Sequence, residues 1–187
     1  SGIDMNFDEI VDTRRSARLF TNDEVSEKQL EKILSSGSLA PSARNRQPWK
    51  FYILNDKQKD DIMNMLFEWD KQNLKERTSV KGSAEQIRTA NKMIMIYSDG
   101  YKSKSKNENY KKPDYISLGC AIENMSLQAV NLGLGSCILC DTLYIENEID
   151  KYLGIKDFEQ ICGFIIGNPI YNYPPKIKKD LKDLLLN

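Results

Sequence analysis

Hydrophobic and polar positions along the chain predict helices alternating with short strands. After the capping-box pattern of Ser26 and Gln29, apolar residues recur at helical spacing up to Gly37, which predicts a helix that stops there. Short continuous apolar runs predict buried strands. The predicted elements are helices at 7–13 (with Asn6 as its cap), 26–37, 56–69 (capped by Asp56), 115–134 and 145–153, and strands at 49–54, 93–97 and 160–166.

Three stretches lack this regularity. Residues 70–90 are polar and poorly periodic, which predicts a mixture of helix and loop. The lysine-rich stretch 102–112 is typical of a solvated excursion, with a partner-binding patch as the alternative. Pro169, Pro174 and Pro175 predict an extended, non-helical tail.

The long helix predicted at 115–134 is apolar nearly all round. Such a helix is expected to be buried, either centrally or in a subunit interface. Strands and helices alternate without a strict βαβ rhythm, so we predict a three-layer α+β fold. No linker divides the chain, and its 187 residues (1–187) are expected to form a single domain.

Composition narrows the function classes. Lysine plus arginine and aspartate plus glutamate both number 27, so the formal net charge is zero, which argues against a generic nucleic-acid-binding protein. No apolar run approaches the roughly 20 residues of a membrane span. No secretory signal is recognisable, so we expect a cytoplasmic protein without a membrane partner.

The chain contains no histidine. This excludes Ser-His-Asp and Cys-His nucleophile pairs and the histidine-containing zinc sites. It also removes the one side chain that titrates near neutrality without perturbation. Any chemistry must therefore use perturbed Asp, Glu, Cys, Lys or Tyr side chains, or a bound cofactor.

Cys137 and Cys140 form a CxxC pattern. A thioredoxin-type dithiol needs a strand followed by a helix whose N-terminus lowers the thiol pKa, and no obvious helix start follows Cys140. A zinc site would need Cys120 and Cys162 to converge on the same place. The favoured interpretation is that the cysteines are reduced, half-buried thiols in the core of a cytosolic protein. A redox dithiol and a zinc site are the alternatives.

Two polar segments are candidates for binding an anion and a flat heterocycle. Residues 14–18 contain three arginines and Ser16, which suit a phosphate, and lysines at 176–179 could close on the same anion; exposed charges paired with carboxylates are the alternative. Residues 40–49 form a loop fixed by two prolines that could present Asn45 and amides to a ring edge. Neither glycine-rich nucleotide motif occurs.

These segments resemble a known family. The residues RRSARLF at 14–20, followed by APSARNRQPW at 40–49, resemble the N-terminal signature of the FMN-dependent nitroreductase family. The segments LGLGSC at 132–137, GFIIGNP at 163–169 and PPKIK at 174–178 are similar to later parts of that family. The resemblance spans nearly the whole chain in the same order.

The resemblance implies an intertwined homodimer with a three-layer α-β-α fold, a central mixed sheet and FMN at the subunit interface. Its implied phosphate and ribityl contacts are Arg14, Arg15, Ser16, Arg18, Lys176 and Lys178, the last standing where the family usually has arginine. The implied ring contacts are Pro41, Ser42, Ala43 and Asn45 of the other subunit, with Ile138, Leu139 and Cys140 passing N5 by main chain and Gln86 as the candidate at the pyrimidine edge. The stretch 68–112 would cover the flavin and carry the variable part of the site.

The reaction implied by the resemblance is a ping-pong transfer of electrons. NADH or NADPH would give hydride to flavin N5, and a nitroaromatic, a quinone or a free flavin would then take the electrons at the same place. No protein nucleophile is needed for this reaction. The alternatives are a family member specialised for flavin destruction or dehalogenation, and a flavin-free CxxC thiol redox protein.

Overall fold

The computed structural model describes residues 4–76, 78–100, 111–171 and 176–186. Within these ranges the helices are α1 (Phe7–Thr13), α2 (Glu27–Ser38), α3 (Asp56–Gln72), α4 (Val80–Thr89), α5 (Lys111–Asn131) and α6 (Glu146–Leu153). The strands are β1 (Trp49–Ile53), β2 (Lys92–Ser98), β3 (Gly135–Leu139) and β4 (Glu159–Gly167). Short 3-10 segments occur at Ala43–Asn45, Cys140–Ile145 and Leu181–Leu184.

The four strands form one sheet in the order β1-β2-β4-β3, and its three ladders are antiparallel. Strand β4 lies between β2 and β3 and pairs antiparallel with each, so β2 and β3 run in the same direction. Helix α5 lies between these two strands in the sequence. A mixed sheet was expected, but each pair of neighbouring named strands is antiparallel, so this expectation is corrected. Parallel pairing occurs at the bridge between Ser16 and Ser136, outside the named strands.

Helices cover both faces of the sheet. Side chains alternate along β2, so that Met93 and Met95 pack with α3, α4 and α6 on one face, while Ile94 and Ile96 pack with α2 and α5 on the other. All four of these side chains are fully buried. The predicted three-layer α+β architecture is confirmed.

Most predicted elements are present within a residue or two. Asn6 caps α1 as predicted, the predicted capping box of Ser26 forms, and α2 ends at Ser38, one residue after Gly37. The expected cap Asp56 is wrong by one residue: the Asn55 side chain accepts the amide of Gln58 at 2.8 Å, and Gln58 reaches back to the Asn55 amide at 3.0 Å. The strand β3 was not predicted.

The stretch 70–90 is more regular than its sequence suggests. Helix α4 buries Val80, Ser83, Ala84 and Ile87 at helical spacing and packs against α3. Small and polar residues at two of these positions hide the periodicity in the sequence. Two hydrogen bonds from Ser79 and Ser83 to the Asp141 carboxylate, at 2.7 and 2.6 Å, tie this helix to the segment after β3.

Helix α5 begins four residues before the predicted start, at Lys111. It packs against α2 on one side, and it exposes Tyr115, Ile116 and Glu123 on another. The expected burial on all sides is therefore incomplete in the single chain. The remaining lysines of the predicted solvated excursion, at 102, 104 and 106, lie outside the described residues.

The end of the chain returns to its beginning. Pro169 pairs with Phe20 in an antiparallel bridge, and the Lys176 ammonium donates to carbonyl oxygens in the last turn of α1. Pro174 and Pro175 lie outside the described residues. Among the described helices, none combines the length and apolar character needed to cross a membrane.

Candidate functional site

Residues 14–18 lie beside the start of β3. Helix α1 ends at Thr13, and the chain then runs along the sheet edge, where the Ala17 amide donates to the Ser136 carbonyl at 2.9 Å. Ala17 is buried, and Gly135 leaves room for it, because a Cβ at Gly135 would come within 2.5 Å of the Ala17 Cβ. The buried alanine therefore fixes the segment that carries the arginines.

Cationic side chains from the two ends of the chain meet at this edge. Partial burial lowers the pKa of the Lys176 ammonium; neighbouring cations lower it further, and attraction by Asp12 opposes them. Those neighbouring cations are Arg14, Arg15 and Lys178. The structure thus brings together four of the predicted phosphate ligands, although Arg14 and Lys176 are more than 160 residues apart.

Two carboxylates near this cationic cluster are only partial counterions. The Arg14 Nε lies 3.2 Å from Glu123, whose side chain is half exposed, and the Lys176 Nζ lies 4.0 Å from an exposed Asp12 carboxylate. Planar guanidinium groups and ammonium groups are the donors that bind phosphate oxygens. The donor set and its mutual repulsion fit an anion such as the phosphate of FMN.

Arg18 and Ser16 face the thiol of Cys137. Burial raises the pKa of this thiol, while the charge of Arg18 and a hydrogen bond with Ser16 lower it. Arg18 is exposed and lies on the other side of the buried Ala17 along the chain. Ser16 and Arg18 were both predicted at the phosphate. They lie beside the start of β3, in the same segment as Arg14 and Arg15.

The two CxxC cysteines differ in exposure: Cys137 lies within β3, and Cys140 begins the 3-10 segment that follows it. Cys137 and Leu139 are buried, whereas Ile138 and Cys140 are exposed. A 3-10 segment does follow Cys140, so the expectation of no helical start is wrong. All four cysteines are free thiols, and burial raises the pKa of Cys162 to about 12. A reactive dithiol needs a lowered thiol pKa, which neither buried cysteine has.

An apolar groove of about 360 Å³ opens beside Ile138 and Cys140. Helix α5 supplies one wall, with Tyr115, Leu118 and Ile122, and β4 supplies the other. The groove is open to solvent at the exposed side chain of Tyr115, whose hydroxyl lies 2.5 Å from Glu159. An aromatic or aliphatic molecule is the kind of ligand that such a surface favours.

The loop at 41–47 docks on the first turns of α5. The Ala43 amide donates to the Ser117 hydroxyl at 3.3 Å, and the Gln47 amide donates to the Ser42 hydroxyl at 3.0 Å. Pro41 and Asn45 remain exposed, as expected of residues that would contact a ligand outside this chain. Ser117 and Glu123 are about 9 Å apart along the helix axis, so this loop and the cationic cluster use different parts of α5.

Gln86 lies on α4 and is half-buried. Its Oε1 atom is buried and accepts no hydrogen bond from the described residues. A buried acceptor without a donor is unusual in folded proteins. Almost none of this atom is exposed in the single chain, so a ligand would reach it only if neighbouring side chains moved.

Sequence reasoning missed the residues that hold the 41–47 loop. Asp114 is buried in the first turn of α5 and pairs with Arg46, and Ser117 one turn later receives the Ala43 amide. A lone acidic residue at the start of a long apolar stretch was the signal that could have identified Asp114.

Several known proteins resemble this chain in sequence or in fold. The family model described as "Nitroreductase family" matches residues 11–167. A protein of Archaeoglobus fulgidus named "Putative NADH dehydrogenase/NAD(P)H nitroreductase" is 30% identical over 172 residues, which cover 90% of this chain and 84% of that protein. Two crystal structures are similar in fold, each 24% identical: a "putative nitroreductase in complex with fmn" from Desulfovibrio desulfuricans (TM-score 0.80, 98% of this chain and 97% of that one) and a "BluB-like flavoprotein" from Clostridium difficile 630 (TM-score 0.79, 98% and 99%). The family match and the A. fulgidus relative together identify this chain as a member of the nitroreductase family.

Proposed function

We propose that this chain is a single-domain FMN-dependent oxidoreductase that takes electrons from NAD(P)H and passes them to a small organic acceptor. The observation that carries the proposal is the cationic cluster of Arg14, Arg15, Lys176 and Lys178. These side chains come from the two segments that most resemble the family. Their repulsion is relieved when they share a dianionic phosphate.

The residues beside the cluster complete the binding site for FMN. Ser16, at the bridge to β3, holds the ribityl region, and the exposed edge of β3 at Ile138 and Cys140 runs past the ring. Leu139 points into the core, so it contributes its main chain. At the pyrimidine edge of the ring the candidate is Gln86, whose half-buried side chain carries both a donor and an acceptor.

A second copy of the chain supplies the other side of the pocket. Large apolar side chains are exposed at both ends of the single chain: Phe7 is 69% exposed, Ile177 95% and Leu186 fully. Surfaces of this kind mark interfaces, and a symmetric dimer is the commonest arrangement that covers them. In this dimer Pro41, Ser42, Ala43 and Asn45 of one subunit line the flavin bound to the other.

The chain's own residues act by binding and orientation. When bound, FMN supplies the redox chemistry, accepting hydride from NAD(P)H and releasing the electrons to an acceptor. The apolar groove beside Cys140 holds nicotinamide and acceptor in turn, which gives a ping-pong reaction. The expected flavin-covering stretch, 68–112, is corrected in part: residues 92–98 form the buried strand β2 and α4 packs in the core, so these parts do not cover a ligand, and residues 101–110 lie outside the described residues. The cytoplasm, where thiols stay reduced, is the compartment that suits four free cysteines.

The test is the absorption spectrum of the purified protein under anaerobic conditions. We expect a yellow dimer with one FMN per chain, bleached by NADH or NADPH and recoloured by a nitroaromatic or a quinone. A Cys137→Ser, Cys140→Ser double variant serves as control and is expected to behave like the wild type. A protein that takes up no FMN would contradict the proposal. Bound flavin that pyridine nucleotides do not bleach would instead favour a family member specialised for flavin destruction or dehalogenation.

A further inference from the structure

We propose that Arg46 and Asp114 form a positioning pair, which holds the 41–47 loop in the conformation that lines the partner subunit's flavin. The inference rests on the proposed function. It assigns a role to a buried carboxylate and an arginine that the phosphate and ring contacts do not use. Neither residue needs to touch the flavin, because the pair acts through the backbone of the loop.

The loop has an unfavourable backbone conformation. Arg44, Asn45 and Gln47 have φ values of 55°, 53° and 51°, in the left-handed region that residues with a Cβ rarely adopt. Three such residues within four positions persist only when their surroundings fix them. The ends of the loop are fixed by the buried residues Ala40 and Pro48, but the middle is exposed.

Asp114, in the first turn of α5, restrains the middle of the loop. Its side chain is 7% exposed, and a Cβ at Gly100 would collide with its carboxylate, so the surrounding chain fits closely around it. A buried carboxylate requires a charged or hydrogen-bonding partner. The Arg46 guanidinium, reaching in from the loop, is such a partner.

The ion pair and the backbone hydrogen bonds act on the same few residues. Arg46 lies between Asn45 and Gln47, two of the left-handed positions, so anchoring its side chain restrains both. Three residues earlier, the Ala43 amide is held by Ser117 on the same face of α5, one turn from Asp114. The loop is thus attached to α5 at two points, and loss of one leaves its tip free to relax.

The experiment measures FMN affinity in Arg46→Gln, Asp114→Asn and the double variant, by quenching of flavin fluorescence in titrations of the full-length apoprotein. We expect each single variant to raise the dissociation constant for FMN about tenfold or more. The dissociation constant of the double variant should not exceed that of the single variant that binds FMN less tightly, since the two residues act as a unit. Arg46→Lys keeps the charge without the planar fork and is expected to fall between wild type and Arg46→Gln.

A matched control breaks a neighbouring ion pair and leaves the Arg46–Asp114 pair intact. Lys50→Gln removes a more exposed pair with Asp99, whose atoms are 3.2 Å apart, and Lys50 lies on β1, outside the 41–47 loop. This variant is expected to bind FMN within about twofold of wild type, because exposed charges contribute little.

A second readout separates positioning from general stability. The visible circular dichroism of flavin at saturating FMN reports the arrangement around the ring, and we expect it to change in Arg46→Gln and not in Lys50→Gln. Single variants that match the wild type in affinity and dichroism would overturn the pair's role, as would losses that add in the double variant. A wild-type protein that binds no FMN would overturn the proposed function together with the inference.

Discussion

Replacing Arg14 and Lys176 together by glutamine is expected to raise the dissociation constant for FMN by at least about 100-fold. A hydrogen bond to a charged group contributes roughly 1.5–3 kcal/mol, and about 1.4 kcal/mol corresponds to a factor of ten. The two residues belong to the cationic cluster and come from opposite ends of the chain. The measurement is a fluorescence titration of the apoprotein with FMN.

The fold is expected to survive this double change. Lys176 loses its hydrogen bonds to the last turn of α1, but removal of two clustered cations relieves their repulsion, so the free energy of unfolding should change by only about 1 kcal/mol. A Lys151→Gln, Lys156→Gln variant removes the same number of exposed charges from the region of α6 and should leave affinity unchanged. Equal FMN affinity in the two double variants would refute the phosphate role.

Gly135→Ala is expected to have the largest effect on stability among single changes at the site. Its new Cβ would lie 2.5 Å from the Cβ of Ala17 and 2.9 Å from that of Pro169, so the chain on both sides must move. Overpacking of this kind costs typically about 1–3 kcal/mol. Ala17 lies in the same segment as Ser16 and the arginines, so a shift of Ala17 moves these FMN contacts. FMN affinity should therefore fall as well. Thermal unfolding of the apoprotein and FMN titration measure the two effects.

Gly82→Ala is the matched control. Gly82 lies within α4, and a Cβ there would meet no atom within 4 Å. Alanine in a helix interior is more favourable than glycine, so this variant should gain about 0.5–1 kcal/mol of stability and bind FMN normally. A Gly135→Ala protein as stable as wild type would contradict the close packing of residues 14–18 against β3.

The layers of the fold could be predicted because most elements carry local signals. A capping box predicted the start of α2, periodic apolar residues predicted α2 and α3, and continuous apolar runs predicted β1, β2 and β4. Helix α4 was missed because Ser83 and Ala84 occupy buried positions without being strongly apolar. Strand order is not local, and the insertion of β4 between β2 and β3 could not be predicted from spacing.

The site was predictable only where a motif carried it. The convergence of Arg14 with Lys176 followed from the resemblance, since no local pattern links residues so far apart. The Arg46–Asp114 pair spans 68 positions and joins a loop to a helix start, and nothing in the neighbourhood of either residue indicates the other. Residues that act through such long-range pairs become visible once the chain is folded.

Riboflavin has the ring of FMN without its phosphate, so it reports whether the cationic cluster binds that phosphate. In parallel titrations of the wild-type apoprotein, we expect FMN to bind at least about 100-fold more tightly than riboflavin, a difference equivalent to two charge-assisted hydrogen bonds. The advantage should shrink as salt concentration rises, since salt screens partly exposed charges. Equal affinities for the two flavins would show that the cationic cluster does not bind the phosphate.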